Sequence, residues 1–150
     1  MKLEEKINRD IKTAMLAKEG KKLDALRAIK SGLLILKTGK GNAGEEVPQE
    51  LEMALLKKLV KQRKESAVIY REKDRKELAE EEEFQATIIE AYLPEQISGD
   101  ELRKLVKNII METGAEGMKD MGLVMGTAAK NLAGKADNKE ISMIVKDLLG

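Results

Sequence analysis

Hydrophobic residues recur every three or four positions along most of the chain, the spacing that places them on one face of an α-helix. The pattern predicts a first helix from Leu3 that is interrupted at Gly20, and a second helix from about Lys21 to Lys37. A glycine-rich stretch from Thr38 to Gly44 then predicts a mobile loop. The predicted inward positions are Leu3, Ile7, Ile11, Ala14 and Met15 in the first helix and Leu23, Leu26, Ile29, Leu33 and Leu36 in the second.

Two more helices are predicted before Pro94. Pro48 suits the first turn of a long third helix, where the missing N–H costs nothing, and Pro94 prevents the fourth helix from continuing past Leu93. The apolar pattern lapses between Asp74 and Lys76, which separates the two. The predicted inward residues are Leu51, Leu55, Leu59 and Val60 in the third helix and Leu78, Phe84, Ile88, Ala91 and Tyr92 in the fourth.

Three shorter helices are predicted after Pro94. The sequence from Ser98 to Glu101 has the S-x-x-E form of a capping box, Gly134 ends the middle helix, and Asp137 is a good N-cap for the last. The predicted inward residues are Leu102, Leu105, Val106, Ile109 and Ile110, then Met118, Met121, Val124, Met125 and Leu132, then Ile141, Ile144, Val145 and Leu148.

No stretch alternates with the period of a β-strand. The sequence therefore predicts an all-α protein in two parts. Residues 1–93 form an N-terminal four-helix bundle-like domain, and residues 94–150 form a small C-terminal three-helix bundle. Because only 2% of the residues are aromatic, the core must be built from aliphatic side chains and methionine.

The composition removes most enzyme chemistry. There is no His and no Cys, so the commonest general base, thiolate nucleophiles, disulfides and the usual transition-metal ligands are missing. The serines lack a catalytic context. We expect no catalytic residue, no metal and no cofactor.

We expect a cytoplasmic protein without a membrane segment. No apolar run approaches the length of about 20 residues that a membrane-spanning helix needs, and the N-terminal residues alternate in charge.

Charge limits the candidate binding sites to local patches, because the net charge is only +1. The densest basic stripe comprises Lys57, Lys58, Lys61 and Lys64 on one side of the third helix. It fits either a phosphate site or an ordinary solvated helix face, and the second is the commoner case. The run Glu80–Glu83 is interpreted as a solvated acidic segment, because consecutive carboxylates on a helix do not converge on a cation.

Two glycine motifs are interpreted as loops. The G-x-G-x-x-G match at Gly39–Gly44 lacks the preceding strand of a nucleotide site, and the G-x-x-G match at Gly114–Gly117 lacks the sheet of an RNA-binding KH domain. A series of methionines (Met111, Met118, Met121, Met125, Met143) fits core filling or an adaptable binding surface. Gly122 and Gly126, which lie among these methionines in the sequence, predict close packing of another helix.

Several short motifs resemble the GatB/YqeY family. They are Glu90-Ala-Tyr-Leu-Pro-Glu-Gln96, Thr113–Ala115, Gly117–Gly122, Val124–Gly126 and Gly134–Asp137, with Leu26–Lys30 and Val60–Ser66 in the first half. The resemblance covers essentially the whole chain. One departure is Asn138, where the family pattern has Gly; Asn tolerates turn conformations, so the helix cap should survive.

The resemblance implies that the C-terminal part is similar to the tail domain of the B subunit of tRNA-dependent amidotransferases. In that enzyme the tail touches tRNA, whereas the reactions occur in other domains. A similar module occurs in some glutaminyl-tRNA synthetases as a tRNA-binding aid. Any carbon–nitrogen ligase label, with glutamine as amido donor, would therefore be inherited from the amidotransferase, and the chain is expected not to be an enzyme.

Two hypotheses follow from the residues and the resemblance together. The first is an accessory tRNA-binding protein of aminoacyl-tRNA metabolism, which acts through Lys119, Lys130, Lys135 and Lys139 and through the stripe residues Lys57, Lys61 and Lys64. The alternative is a protein-interaction module that docks on a synthetase, an amidotransferase or another assembly without contacting RNA. The near-zero net charge favours the alternative, because strong capture of RNA usually requires a basic protein.

Overall fold

The described part of the chain, residues 2–39 and 47–150 in a computed structural model, is helical throughout and contains no strand. The all-α prediction is confirmed. The chain divides into two compact units, the first ending at Leu93 and the second beginning at Pro94. The predicted loop from Thr38 to Gly44, with its glycine motif, lies largely outside the described residues.

The helices of the first unit are α1 (Leu3–Leu16), α2 (Gly20–Thr38), α3 (Gln49–Glu72) and α4 (Lys76–Glu90), and Pro48 lies at the N-cap of α3. The second unit has α5 (Gly99–Thr113), a short 3₁₀ turn (Met118–Asp120), α6 (Met121–Asn131) and α7 (Asn138–Leu149).

In the first unit α4 packs on α3 and α2, and α1 packs on α2. The buried residues are Leu3, Ile7 and Ala14 of α1, Ala25, Leu26, Ile29 and Leu33 of α2, Met53, Leu56, Val60 and Ala67 of α3, and Ala79, Ala86 and Ile89 of α4. Alanine at a contact lets two helix backbones approach closely, so the α3–α4 hairpin is packed mainly through small and aliphatic side chains.

The predicted inward faces of α3 and α4 are partly wrong. Leu51, Leu78, Phe84 and Ala91 are exposed, and so is Met15 at the end of α1. The helix α4 carries two apolar stripes, and the structure buries the one with Ala79, Ala86 and Ile89. Periodicity does not show which of two apolar stripes on one helix is buried. In α4 the buried stripe is the one that allows closer packing on α3 and α2.

The second unit is built around one apolar cluster to which α5, α6 and α7 all contribute. Its members are Leu102, Val106, Ile109, Val124, Ala128, Leu132, Ala136, Ile141 and Val145. The predicted inward positions of α5 and α7 are confirmed, since each is buried or partly buried against this cluster. These helices have one apolar and one polar side, so their periodicity leaves a single solution.

One of the two helix caps predicted in the second unit forms. Asp137 caps α7 as expected, because its side chain accepts a hydrogen bond from the Lys139 N–H at 3.1 Å. The Ser98–Glu101 capping box does not form. Ser98 makes no capping bond, and the N–H of Gly99 instead donates to Oε1 of Glu140 at 3.2 Å.

Of two further predictions for the second unit, one is wrong and the other is confirmed only in part. A Cβ added at Gly122 or Gly126 would meet nothing within 4 Å, so these glycines pack against no other helix among the described residues. Core filling is confirmed for Met121 and Met125, which pack against the apolar cluster, whereas Met111, Met118 and Met143 are exposed. The turn interpretation of Gly114–Gly117 is confirmed, since this segment connects α5 to the 3₁₀ turn.

Tyr92 connects the end of the first unit to α1. Its hydroxyl donates to the carboxylate of Asp10, and two residues earlier Glu90 pairs with Lys64 at 2.6 Å. Partial burial, followed by the hydrogen bond and the negative charge of Asp10, raises the pKa of Tyr92 above its usual value. The neutral phenol is therefore the form that the folded chain prefers.

We expect Tyr92→Phe to lower the free energy of unfolding by about 1 kcal/mol at pH 8, because one partly buried hydrogen bond is lost. The raised pKa means that the contribution of Tyr92 is fully present below about pH 10, where the unfolded phenol is neutral, and decreases as the pH rises further. Urea unfolding of both proteins between pH 8 and 11 measures this gap. Tyr70→Phe is the matched control, and a gap that stays constant with pH contradicts the prediction.

A second prediction compares two glycines of the second unit. Gly126→Ala should stabilise the chain by about 0.5–1 kcal/mol, because Ala is the better helix former and its Cβ enters open space. Gly114→Ala should destabilise it by about 1 kcal/mol, because Gly114 ends α5 with a φ of +71°. Urea unfolding followed by circular dichroism tests both, and effects of the same sign would refute the pair.

Candidate nucleic-acid interface

The four lysines predicted in the second unit are all exposed, at three kinds of position. Lys119 lies in the 3₁₀ turn, Lys130 in the last turn of α6 and Lys139 in the first turn of α7. Lys135 lies between α6 and α7. The turn thus gathers Lys130, Lys135 and Lys139 within one short segment, whereas Lys119 lies at the other end of α6, about 16 Å away along the helix axis.

The α6–α7 turn is fixed by the segment that begins the second unit. The side-chain amide of Gln96 donates to the carbonyl oxygens of Pro94 at 3.0 Å and Gly134 at 2.6 Å. The N–H of Ile97 donates to the carbonyl of Lys135 at 2.7 Å. Two motifs far apart in sequence, Pro94–Gln96 and Gly134–Asp137, are therefore parts of one local structure that holds the backbone of Lys135 in place.

None of the four ammonium groups takes part in an ion pair within the part of the chain that the structure describes. The ion pair of the second unit joins Arg103 to Asp147 at 2.7 Å. The unit as a whole is close to neutral, with eight Lys and Arg against nine Asp and Glu from Pro94 to Gly150. Any attraction for an anion is therefore local to the lysines.

One exposed side of α6 links Lys119 with Lys130. Helical spacing places Lys119, Gly122, Leu123, Gly126 and Lys130 together, opposite the buried Val124 and Ala128. We call these five residues the outer α6 face. Sequence reasoning assigned the two glycines to internal packing and missed this face. In the structure the exposed side chain of Leu123 shows that the helix face with Gly122 and Gly126 lies at the surface.

The basic stripe of the first unit is partly neutralised. Lys64 pairs with Glu90, and Lys57 is half-buried and already has a partner. The neighbouring Arg63 donates through Nε to Gln85 at 3.1 Å and through Nη1 to the carbonyl of Leu59 at 3.2 Å. Lys61 is exposed and belongs to no ion pair of the described chain. The predicted lysines thus fall into two groups, one in each unit.

Two other kinds of site are absent from the described residues. No cluster of three or more acidic side chains has the geometry to hold a metal ion. No helix in residues 2–39 or 47–150 has both the length and the apolar character needed to cross a membrane.

Comparison with known proteins gives two findings. A family model described as Yqey-like protein matches residues 4–149. The chain is also similar to a protein of Pyrenophora tritici-repentis (strain Pt-1C-BFP) named "Altered inheritance of mitochondria protein 41, mitochondrial", with 28% identity over 148 residues. The similarity covers 97% of this chain and 80% of that relative.

The turn that carries the lysines can be tested through Gln96. Gln96→Ala should lower the stability of the second unit by about 1 kcal/mol, because two side-chain hydrogen bonds are lost from a solvent-accessible position. It should also speed hydrogen exchange at the amides of Ile97 and Lys135. Hydrogen exchange measured by NMR tests this, with Gln62→Ala on the exposed side of α3 as the control. Unchanged exchange at both amides would show that Gln96 does not hold the turn.

Proposed function

Because the chain belongs to the YqeY-like family, we propose that it is an accessory tRNA-binding protein that holds RNA through its second unit. The observation that carries this proposal is the set of four exposed lysines, Lys119, Lys130, Lys135 and Lys139, none of which is in an ion pair of the described chain. An ammonium group already paired with a carboxylate gains less from a phosphate. This is why the proposal rests on the second unit, whereas Lys64 of the first unit is paired with Glu90.

Phosphate contacts from these lysines would position the RNA without reading its sequence. Each neutralised phosphate releases condensed counterions, so the affinity should depend steeply on salt. Lys135 lies on the α6–α7 turn that Gln96 and Ile97 contact, which keeps its backbone in place before binding, and Lys130 and Lys139 lie in the helix turns on either side of it. The outer α6 face has no side chain at Gly122 or Gly126, so a phosphodiester backbone can approach the helix closely.

The proposal gives the chain no catalytic step of its own. It has neither His nor Cys, and the lysines act as charges that bind. A carbon–nitrogen ligase label for such a protein would be inherited from the amidotransferase that its second unit resembles. For location we propose the cytoplasm, a reducing compartment that the absence of Cys suits. The mitochondrial label describes the fungal relative.

The alternative is docking on an aminoacyl-tRNA synthetase or an amidotransferase without any RNA contact. The near-neutral charge of the second unit favours it, because a surface with eight basic and nine acidic residues attracts RNA only over short distances. The two functions differ in one measurement, the affinity for free tRNA.

Binding of fluorescently labelled bulk tRNA, measured by anisotropy between about 20 and 200 mM salt, tests the proposal. Changing all four lysines to Ala should lower the affinity at least tenfold and reduce the slope of log K against log salt by about 3–4. The matched control changes Lys12, Lys30, Lys73 and Lys76, four exposed lysines of the first unit, and removes the same charge.

Undetectable tRNA binding at the lowest salt would refute RNA binding and leave the docking alternative. Equal losses in the quadruple variant and in its control would show that only net charge matters. Alanine at Lys57, Lys61 and Lys64 tests the stripe of the first unit. Its effect should be smaller, because Lys64 is already paired and Lys57 already engaged.

A further inference from the structure

The chain passes from the first unit to the second between Leu93 and Pro94. On the first-unit side the N–H of Leu93 donates to the carbonyl of Glu90 at 3.0 Å, which continues the hydrogen bonding at the end of α4. The preceding Tyr92 is held to α1 by the hydrogen bond from its hydroxyl to Asp10. The chain is therefore attached to the first unit up to the nitrogen of Leu93.

The second unit holds the chain from Pro94 onward. The side-chain amide of Gln96 donates to the carbonyl oxygen of Pro94 at 3.0 Å and to that of Gly134 at 2.6 Å, so it joins Pro94 to the α6–α7 turn. The N–H of Ile97 donates to the carbonyl of Lys135 at 2.7 Å, and the side chain of Ile97 packs against the apolar cluster. Without the Gln96 amide, Ile97 would be the first residue attached to the rest of the second unit.

Little rotation is possible between these two points of attachment. The peptide bond from Leu93 to Pro94 is planar, and the proline ring fixes the φ angle of Pro94 at about −65°. The ring also collides with a preceding residue in the α region, which confines Leu93 to extended conformations. The remaining rotations are about the bonds at the Cα of Leu93 and about the Cα–C bond of Pro94.

We propose that Leu93 and Pro94 form a hinge between the two units and that the Gln96 side chain confines the bending to these two residues. Hinges are short segments at the ends of elements that take up a change of φ and ψ while the bodies on either side stay rigid. Here the segments on both sides are hydrogen-bonded to their own unit. Loss of the Gln96 amide would lengthen the hinge to residues 93–96, because Ile97 is the next point of attachment.

Such a hinge lets the second unit turn through a limited range of orientations while both cores stay intact. The inference goes beyond RNA binding, because it uses none of the lysines Lys119, Lys130, Lys135 and Lys139. It would hold for a chain that binds no RNA, and tRNA binding would not establish it. Failure of one proposal is therefore distinguishable from failure of the other.

Double electron–electron resonance between two nitroxide labels on the full chain measures the range of orientations as the width of a distance distribution. Because the chain has no Cys, Lys30→Cys on α2 and Lys107→Cys on α5 provide the only labelling sites, and both positions are exposed. The reference is a variant with a run of glycines inserted between Leu93 and Pro94, which behaves as a flexible coil. We expect a narrower distribution for the natural linker than for this reference.

Two substitutions test the hinge. Gln96→Ala should broaden the distribution to a width between those of the natural linker and the glycine insertion. Pro94→Gly should also broaden it without removing a side-chain hydrogen bond, because glycine allows more φ values and lifts the restriction on Leu93. Glu95→Ala is the matched control, since Glu95 is exposed in the same segment and its side chain makes no hydrogen bond or ion pair within the described chain.

A second pair of labels, at Lys107→Cys and Lys146→Cys, monitors the second unit itself and should give one narrow distribution in every variant. If Gln96→Ala broadens this pair as well, Pro94→Gly decides the test. A natural linker that gives a distribution as broad as the glycine insertion overturns the proposal. So do widths that neither Gln96→Ala nor Pro94→Gly changes, or a Glu95→Ala variant that broadens as much as Gln96→Ala.

Discussion

The fold depends on the need to fill a core almost without aromatic side chains. With 2% aromatic residues the chain has few large groups to span a wide space between helices, so the helices must pack closely. Alanine occupies buried positions in five of the described helices, at Ala14, Ala25, Ala67, Ala79, Ala86 and Ala128, and no buried residue in the described chain is polar or charged. Close packing against small residues accounts for which of the two apolar stripes of α4 faces inward. The consequence is visible on α4, where the alanine stripe is buried and Phe84 is left at the surface.

The same requirement shapes the second unit, which must form its core from the residues between Pro94 and Gly150 alone. A unit of this size buries a smaller fraction of its surface than a large domain, so local hydrogen bonds carry more of its stability. Asp137 caps α7, Glu140 receives the N–H of Gly99, and Gln96 connects Pro94 to Gly134. These bonds tie the beginning of the unit to the turn before its last helix. The backbone of Lys135, which lies in that turn, is therefore held in place.

Ion pairing divides the surface cations into those already paired with a carboxylate and those still available to bind another anion. In the first unit Lys64, Arg71 and Lys21 are paired with carboxylates of α4, an arrangement that adds little stability at exposed positions but occupies those cations. In the second unit the four lysines have no such partner in the described chain. The total charge therefore does not show which of these cations are already paired. RNA binding, as proposed, uses lysines that are in no ion pair of the described chain.

The helical class, the position of most helices and the inward faces of α5 and α7 follow from the amino-acid sequence alone, because in those two helices one apolar side opposes one polar side. The absence of His and Cys likewise removes imidazole and thiolate chemistry. The sequence could not determine which of two apolar stripes α4 buries, whether Gly122 and Gly126 face another helix, or which lysines are paired. Those outcomes depend on contacts between residues far apart in the chain. Periodicity reports only that a residue shares a helix face with its neighbours, and the tertiary structure decides what that face meets.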